Sequence, residues 1–171
     1  MKLLAVLALS AVAFAQQSRN PVTDVLRDSV AGREKNTVAA IDEMPADKYS
    51  YHPTPEQWTF AKIVSHVAQS DFAVCSILSD TPAPQNWKVT ETDPKEKLVP
   101  AVTASFEFCS TVLANLQDSK LGDTVKFFRG RQVPRARALI ELTDDLEDHY
   151  SQLASYLRLN GMLPPSASPQ K

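Results

Sequence analysis

Residues 145–165, "DLEDHYSQLASYLRLNGMLPP", decide the fold. Leu142, Leu146, His149, Leu153 and Tyr156 recur at alternating steps of four and three, the spacing that lines one face of an α-helix. Gly161 closes the stretch as a helix terminator, and Pro164 and Pro165 beyond it cannot continue the turn. His149 sits within the apolar stripe and so points inward, with Asp145 one turn before it on the same face. The reading is a long amphipathic helix from about Pro134 to Asn160 that buries an imidazole.

Three more segments upstream carry the same periodicity. The first runs from about Val22 to Glu43 on Val25, Leu26, Val30, Val38 and Ile41, and Pro45 ends it. The second is expected to start at Thr54-Pro55-Glu56, where threonine can cap, proline suits the first helical position and glutamate suits the positive end of the dipole. It continues to about Leu78, where "SDTPAPQNW" stops it. The third begins near Asp93-Pro94 and reaches about Leu116 through Leu98, Val102, Phe106, Cys109, Val112 and Leu113. Pro100 falls within its first two turns, where a kink costs less than mid-helix. The connection "DSKLGDTVKFFRGRQVP" follows, with Gly122 and Gly130 as turn points and Val125 to Phe128 extended. Four long helices in one chain predict an all-α four-helix bundle whose sites are built from facing helices.

Composition is consistent with this. A chain of 171 residues suits one domain, placed at residues 16–165, and a formal net charge of -2 offers no basic footprint for nucleic acid. Four glycines in the whole chain argue against a phosphate-cradling loop fold. The first residues, "MKLLAVLALSAVAFAQQ", combine one lysine, a short apolar run and Ala13-Phe14-Ala15, which fits the small-x-small cleavage rule. Residues 1–15 are therefore read as a signal peptide, and the mature chain as secreted or periplasmic with no membrane attachment. Residues 166–171 are expected to form a disordered tail.

The chemistry gathers around two of the three histidines. His66, on the flank of the second helix's apolar stripe, joins Asp145 and His149 as a possible third ligand. Three protein ligands with an open position make a catalytic metal site rather than a closed structural one. Two imidazoles and a carboxylate suit zinc first, with nickel, iron and manganese as other candidates. The plainer alternative is a core histidine in a charge-assisted pair with Asp145. Glu107 and Asp148 are the carboxylates considered as a base. Trp58 is expected to pack the start of the second helix, Trp87 to cover an end of the bundle and His52 to be exposed. Arg158 suits the negative end of the last helix. Arg129, Arg131, Arg135 and Arg137 form a basic run that reads as a solvated face. Cys75 and Cys109, on the second and third helices, are either a disulfide or two buried thiols.

Two stretches resemble a known family. "YSYHPTPEQWTFAKIVSHVAQSDFAVCSIL" (49–78) resembles the first signature of the DinB-like superfamily, in which a proline-rich loop and a tryptophan lead into a histidine-bearing helix. "DHYSQLASYLRLNGMLPPSA" (148–167) resembles its closing signature. The resemblance implies a four-helix bundle with a metal held by three histidines, one on the second helix and two spaced four apart on the fourth. His66 matches the first and His149 the last; Asp145 replaces the middle histidine, and Ser151 stands where relatives commonly carry glycine. The resemblance also implies thiol-dependent transfer chemistry and, often, a homodimer. An oxidising compartment is poor in small thiols, so the expected function is an exported metal-dependent enzyme, a hydrolase before a thiol transferase, acting on an unidentified small molecule. The alternative is a metal-free bundle that binds a ligand or serves in stress.

Overall fold

A computed structural model describes residues 19–85 and 87–167. The expected signal peptide lies outside the described residues. Four helices dominate: α1 (Pro21–Glu43), α2 (Phe60–Ser79), α3 (Lys95–Asn115) and α4 (Arg135–Leu159). A two-stranded antiparallel hairpin, β1 (Thr124–Lys126) and β2 (Gln132–Pro134), precedes α4, with Val125 opposite Val133. Around the bundle the neighbours are α1 with α3, α3 with α2, α2 with α4, and α4 with α1. Consecutive helices α1 and α2 thus face each other across a diagonal, as do α3 and α4, so both need the long connections that the sequence shows.

The start of α2 differs from the expectation at Thr54. Thr59 is the cap, its hydroxyl accepting from the Lys62 N–H at 3.1 Å. Residues 54–57 instead close a turn, with the Gln57 N–H donating to the Thr54 carbonyl at 3.1 Å. Phe60 and Ala61 donate to the carbonyls of Tyr51 and Tyr49 at 2.9 and 2.8 Å, so the aromatic loop docks directly on the first turn of the helix. Two further termini are capped from a distance. Asp118 accepts from the N–H groups of Val22 and Thr23 at 3.0 and 2.8 Å, holding the start of α1. Arg135 donates to the carbonyls of Ile77 and Leu78 and pairs with Asp80 at 2.8 Å, which closes the end of α2. The expectation of a solvated arginine face fails at this one residue, which is buried.

The hairpin occupies only part of the stretch expected to be extended. Phe128 to Gly130 form a tight turn with Arg129 at φ 56 and Gly130 at φ 75, and the glycine relieves half of that left-handed bend. At the far end Gly161 takes φ 77, and Met162 and Gly161 donate to the carbonyls of Leu157 and Arg158, the two hydrogen bonds of a Schellman ending. Of the tail expected to fray, Ser166 and Ala167 lie in a short turn, and the Ser166 N–H donates to the Tyr150 hydroxyl at 3.0 Å. Residues 168–171 lie outside the described residues.

The core runs the length of the bundle through Ile41, Phe60, Ile63, Leu98, Phe106, Leu139, Leu142, Leu146 and Leu153. All five residues of the stripe that predicted α4 are buried. Among the described residues α3 is long and apolar enough to cross a membrane, but its stripe is spent against α1 and α2. Cys75 and Cys109 form a disulfide between α2 and α3, with Cα atoms 5.3 Å apart. One turn away on both helices, Ser105 donates to the carboxyl of Asp71 at 3.0 Å, and both residues are wholly buried. The other Asp71 oxygen has no partner among the described residues. Burial drives the Asp71 carboxyl well above the usual carboxylate range, against the Ser105 hydrogen bond and with help from the charges of Asp145 and Glu34.

Candidate metal centre

The seam between α2 and α4 brings the three expected ligands together. His66 leaves α2, and Asp145 and His149 leave α4 one turn apart. His66 Nε2 lies 3.5 Å from Asp145 Oδ1, and His149 Nε2 lies 3.4 Å from the same oxygen. The two imidazole centroids are 4.6 Å apart with planes at 70°, an edge-on arrangement. One donor atom from each of the three residues falls within 4.8 Å of the others.

These distances bear on the choice between an ion pair and a ligand set. A charge-assisted N–H to carboxylate bond closes to about 2.7–2.9 Å. Two donors bound tetrahedrally at about 2.0–2.2 Å from one ion sit roughly 3.3–3.6 Å apart. The two separations from Asp145 Oδ1 have the second spacing, and the donor set of two imidazoles and a carboxylate fits a divalent cation. Asp145 Oδ2 and His149 Nδ1 are also buried without a hydrogen-bond partner among the described residues. A metal-bound imidazole is usually oriented through a hydrogen bond from its second nitrogen. Here a ring takes that place: Trp58 stacks on His149 at 5.7 Å and 16°, and meets His66 edge-on at 5.1 Å. The Trp58 carbonyl in turn accepts from the Tyr156 hydroxyl at 2.9 Å, tying the tryptophan to α4.

The electrostatics favour an ionised donor at the centre. Burial alone would raise the Asp145 carboxyl, but the polar contacts of His149 and His66, long as they are, with a smaller contribution from Ser70, hold it well below the usual carboxylate range. Burial lowers the His149 imidazole, yet the hydrogen bond and charge of Asp145 outweigh it and leave the net shift upward. Without an ion, Asp145 is an anion shared by two imidazoles.

A cavity of about 610 Å³ opens beside His66 and Asp145. Ser70, Ala73 and Val74 of α2 form one wall, Glu141 of α4 another, and Trp87 with Phe127 and Phe128 of the hairpin form the third. Glu141, Asp145 and His149 are thus three successive turns of one helical face. The sequence reading took the last two and missed Glu141, although its spacing of four before Asp145 was the available signal. Nothing local to Phe127 and Phe128 marks them as cavity walls. Glu107 and Asp148, the carboxylates considered as a base, are exposed and line no part of this cavity. His52 is exposed as expected, Arg158 lies exposed in the last turn of α4, and Trp87 rests against Phe72 at 5.2 Å.

A four-helix bundle with a His/Asp/His cluster between its second and fourth helices is the class that fold and site define. Residues 30–153 match the DinB superfamily, and the chain belongs to it. The fold is similar to a DinB-like protein from Bacillus cereus ATCC 10987, at 18% identity and TM-score 0.66, over 83% of this chain and 95% of that one. A DinB-like protein from Bacillus subtilis is similar at 20% identity and TM-score 0.67, over 85% and 99% of the two chains. A mycothiol-dependent maleylpyruvate isomerase shares the fold at 15% identity and TM-score 0.63, over 77% of this chain and 60% of its own. No curated protein matches the chain.

Proposed function

We propose that the protein is an exported, metal-dependent enzyme in which His66, Asp145 and His149 hold one divalent ion, zinc before nickel, iron or manganese, and that its chemistry is hydrolytic. The observation that carries the reading is the pair of 3.4 and 3.5 Å separations around Asp145 Oδ1, long for hydrogen bonds and suited to shared coordination. When bound, such an ion supplies an activated water nucleophile or polarises a substrate carbonyl.

The residues of the chain do the rest. Asp145 contributes the anion, and Trp58 fixes the plane of the His149 ring. His66 and Asp145 border the cavity, so a molecule held there would lie beside the residues that would hold the ion. The aromatic and aliphatic walls exclude water from one side of a bound substrate. An aspartate in place of a neutral imidazole lowers the positive charge of the site and makes a bound water less acidic than three histidines would.

Export favours hydrolysis over the thiol-dependent chemistry of the isomerase relative, since an oxidising compartment holds few small thiols. The Cys75–Cys109 disulfide supports that compartment. N-terminal sequencing of protein recovered from outside the cytoplasm should give a chain starting near Gln16. The functional test is hydrolysis of chromogenic esters and amides by zinc-reconstituted protein, chelator-treated protein and the His66→Ala variant. Turnover confined to the reconstituted wild type supports the reading. Turnover that appears only on adding a small thiol would move the protein to the transferase class.

A further inference from the structure

The cavity beside the cluster is lopsided in its charge. Its apolar walls are Trp87, Phe127, Phe128 and Val74, its charged groups are the carboxylates of Glu141 and Asp145, and among the described residues no lysine or arginine lines it, the Arg131 guanidinium lying over the Phe127 ring at 5.4 Å. Glu141 is not consumed by its own ion pair. Arg137 Nε and Nη2 both reach the same oxygen, Oε1, at 2.8 and 2.5 Å. The second carboxylate oxygen makes no hydrogen bond among the described residues. The Arg137 side chain is more than half exposed and is not among the residues lining the cavity.

Aromatic rings around a carboxylate form a setting that recognises cations, because ring faces and the anion both attract positive charge while the rings bury an apolar body. Helix spacing puts Glu141 about 5–6 Å from Asp145, measured between Cβ atoms. A ligand can thus meet Glu141 with one group while another reaches the cluster. In the metal-free form a phosphate or carboxylate on the same ligand would face the carboxylates of Glu141 and Asp145. The volume of about 610 Å³ suits a compact molecule rather than a polymer chain.

We infer that the cavity selects a small amine, a flat apolar or aromatic body carrying a protonated amino group that pairs with Glu141 while its reacting group faces His66 and Asp145. This rests on the proposed function only for the second contact; recognition at Glu141 needs no ion at the cluster. It adds a specificity residue, Glu141, and a substrate class to the site.

The test uses three probes of matched body: 2-phenylethylammonium, 2-phenylethanol and 3-phenylpropionate. Each is titrated by calorimetry into the full chain in zinc-loaded and metal-stripped forms, with zinc content measured on the same samples. The ammonium probe is expected to bind about tenfold or more tighter than the alcohol in both forms, the size of one charge-assisted contact. Glu141→Gln should erase that preference and leave the alcohol affinity within about twofold, and Phe128→Ala should weaken both probes alike. Equal or tighter binding of the carboxylate probe to the metal-stripped form overturns the inference, as does an ammonium preference that survives Glu141→Gln, or no binding by any probe. A preserved preference in protein that takes up no zinc would sink the metalloenzyme reading alone. Zinc uptake without the preference would sink only this one.

Discussion

α2 presents polar groups to two neighbours, and the two seams are built differently. Towards α3 it places Asp71 and Cys75, which meet Ser105 and Cys109 in a region closed to solvent. Towards α4 it places His66, which meets Asp145 and His149 beside an open cavity. In the first seam a covalent bond and a hydroxyl satisfy the groups on the spot, with one Asp71 oxygen left over. In the second, donor atoms converge at separations too long for good hydrogen bonds, with His149 buried and His66 and Asp145 partly exposed beside the cavity. The α3 seam is organised for stability, and the α4 seam keeps unsatisfied donors in reach of a ligand.

Removing the disulfide gives the largest expected effect on the closed seam. The bridge spans 34 residues of chain, and cross-linking a loop of that length contributes about 4 kcal/mol in the chain-entropy model. The Cys75→Ala, Cys109→Ala double variant should lose about that much in denaturant unfolding. Well below its transition it should keep the zinc capacity of the wild type. Loss of zinc capacity in a folded double variant would show that the two seams are not independent.

Asp71 comes next. Its folded pKa is raised, so the protonated form contributes stability that is complete below the ordinary aspartate range near pH 4 and is lost as pH climbs through the folded value. Asp71→Asn keeps a neutral group beside Ser105 and should raise stability by about 1–3 kcal/mol at pH 8, with little change near pH 4. Thermal melts across pH check the slope; a gain that is equal at both ends would contradict a buried, titrating Asp71. Zinc binding at the open seam should show the opposite pH trend. It should weaken on acidification, because His149, already raised by Asp145, must give up its proton to bind.

The smallest effect compares two threonines at the aromatic loop that carries Trp58. Thr59→Ala should cost about 1 kcal/mol through the lost cap. Thr54→Ala should stay within about 0.5 kcal/mol. Reversed values would restore the helix start that local sequence signals favoured.

What could be read from the sequence follows the range of the forces involved. The stripes of α3 and α4 and the Gly161 ending are local, so periodicity and a single residue type disclose them; in α1 the stripe fails at Val25, which is exposed, while Thr23 and Thr37 are buried. The Thr54-Pro55-Glu56 signal is also local, but it lost to hydrogen bonds from Phe60 and Ala61 back to Tyr51 and Tyr49, which depend on how the loop folds over. The His66, Asp145 and His149 cluster was legible because two of its members share one helix face and the third lies on the flank of the second helix's stripe, where the family resemblance also points. The cavity was not: Trp87, Phe127 and Phe128 come from two loops, and only the crossing of the α3–α4 connection carries the hairpin over to α2. The capping role of Arg135 belongs to the same class, since its partners lie at the end of α2.

The most direct measurement is elemental analysis of the mature protein, purified without a histidine tag or chelator, beside Asp145→Ala and His149→Ala. The account expects close to one equivalent of zinc, nickel, manganese or iron per chain in the wild type. Both variants should lose it while their circular dichroism stays helical. A wild-type protein that arrives empty and takes up no added metal would contradict the account and leave His66, Asp145 and His149 as a polar patch in a binding bundle.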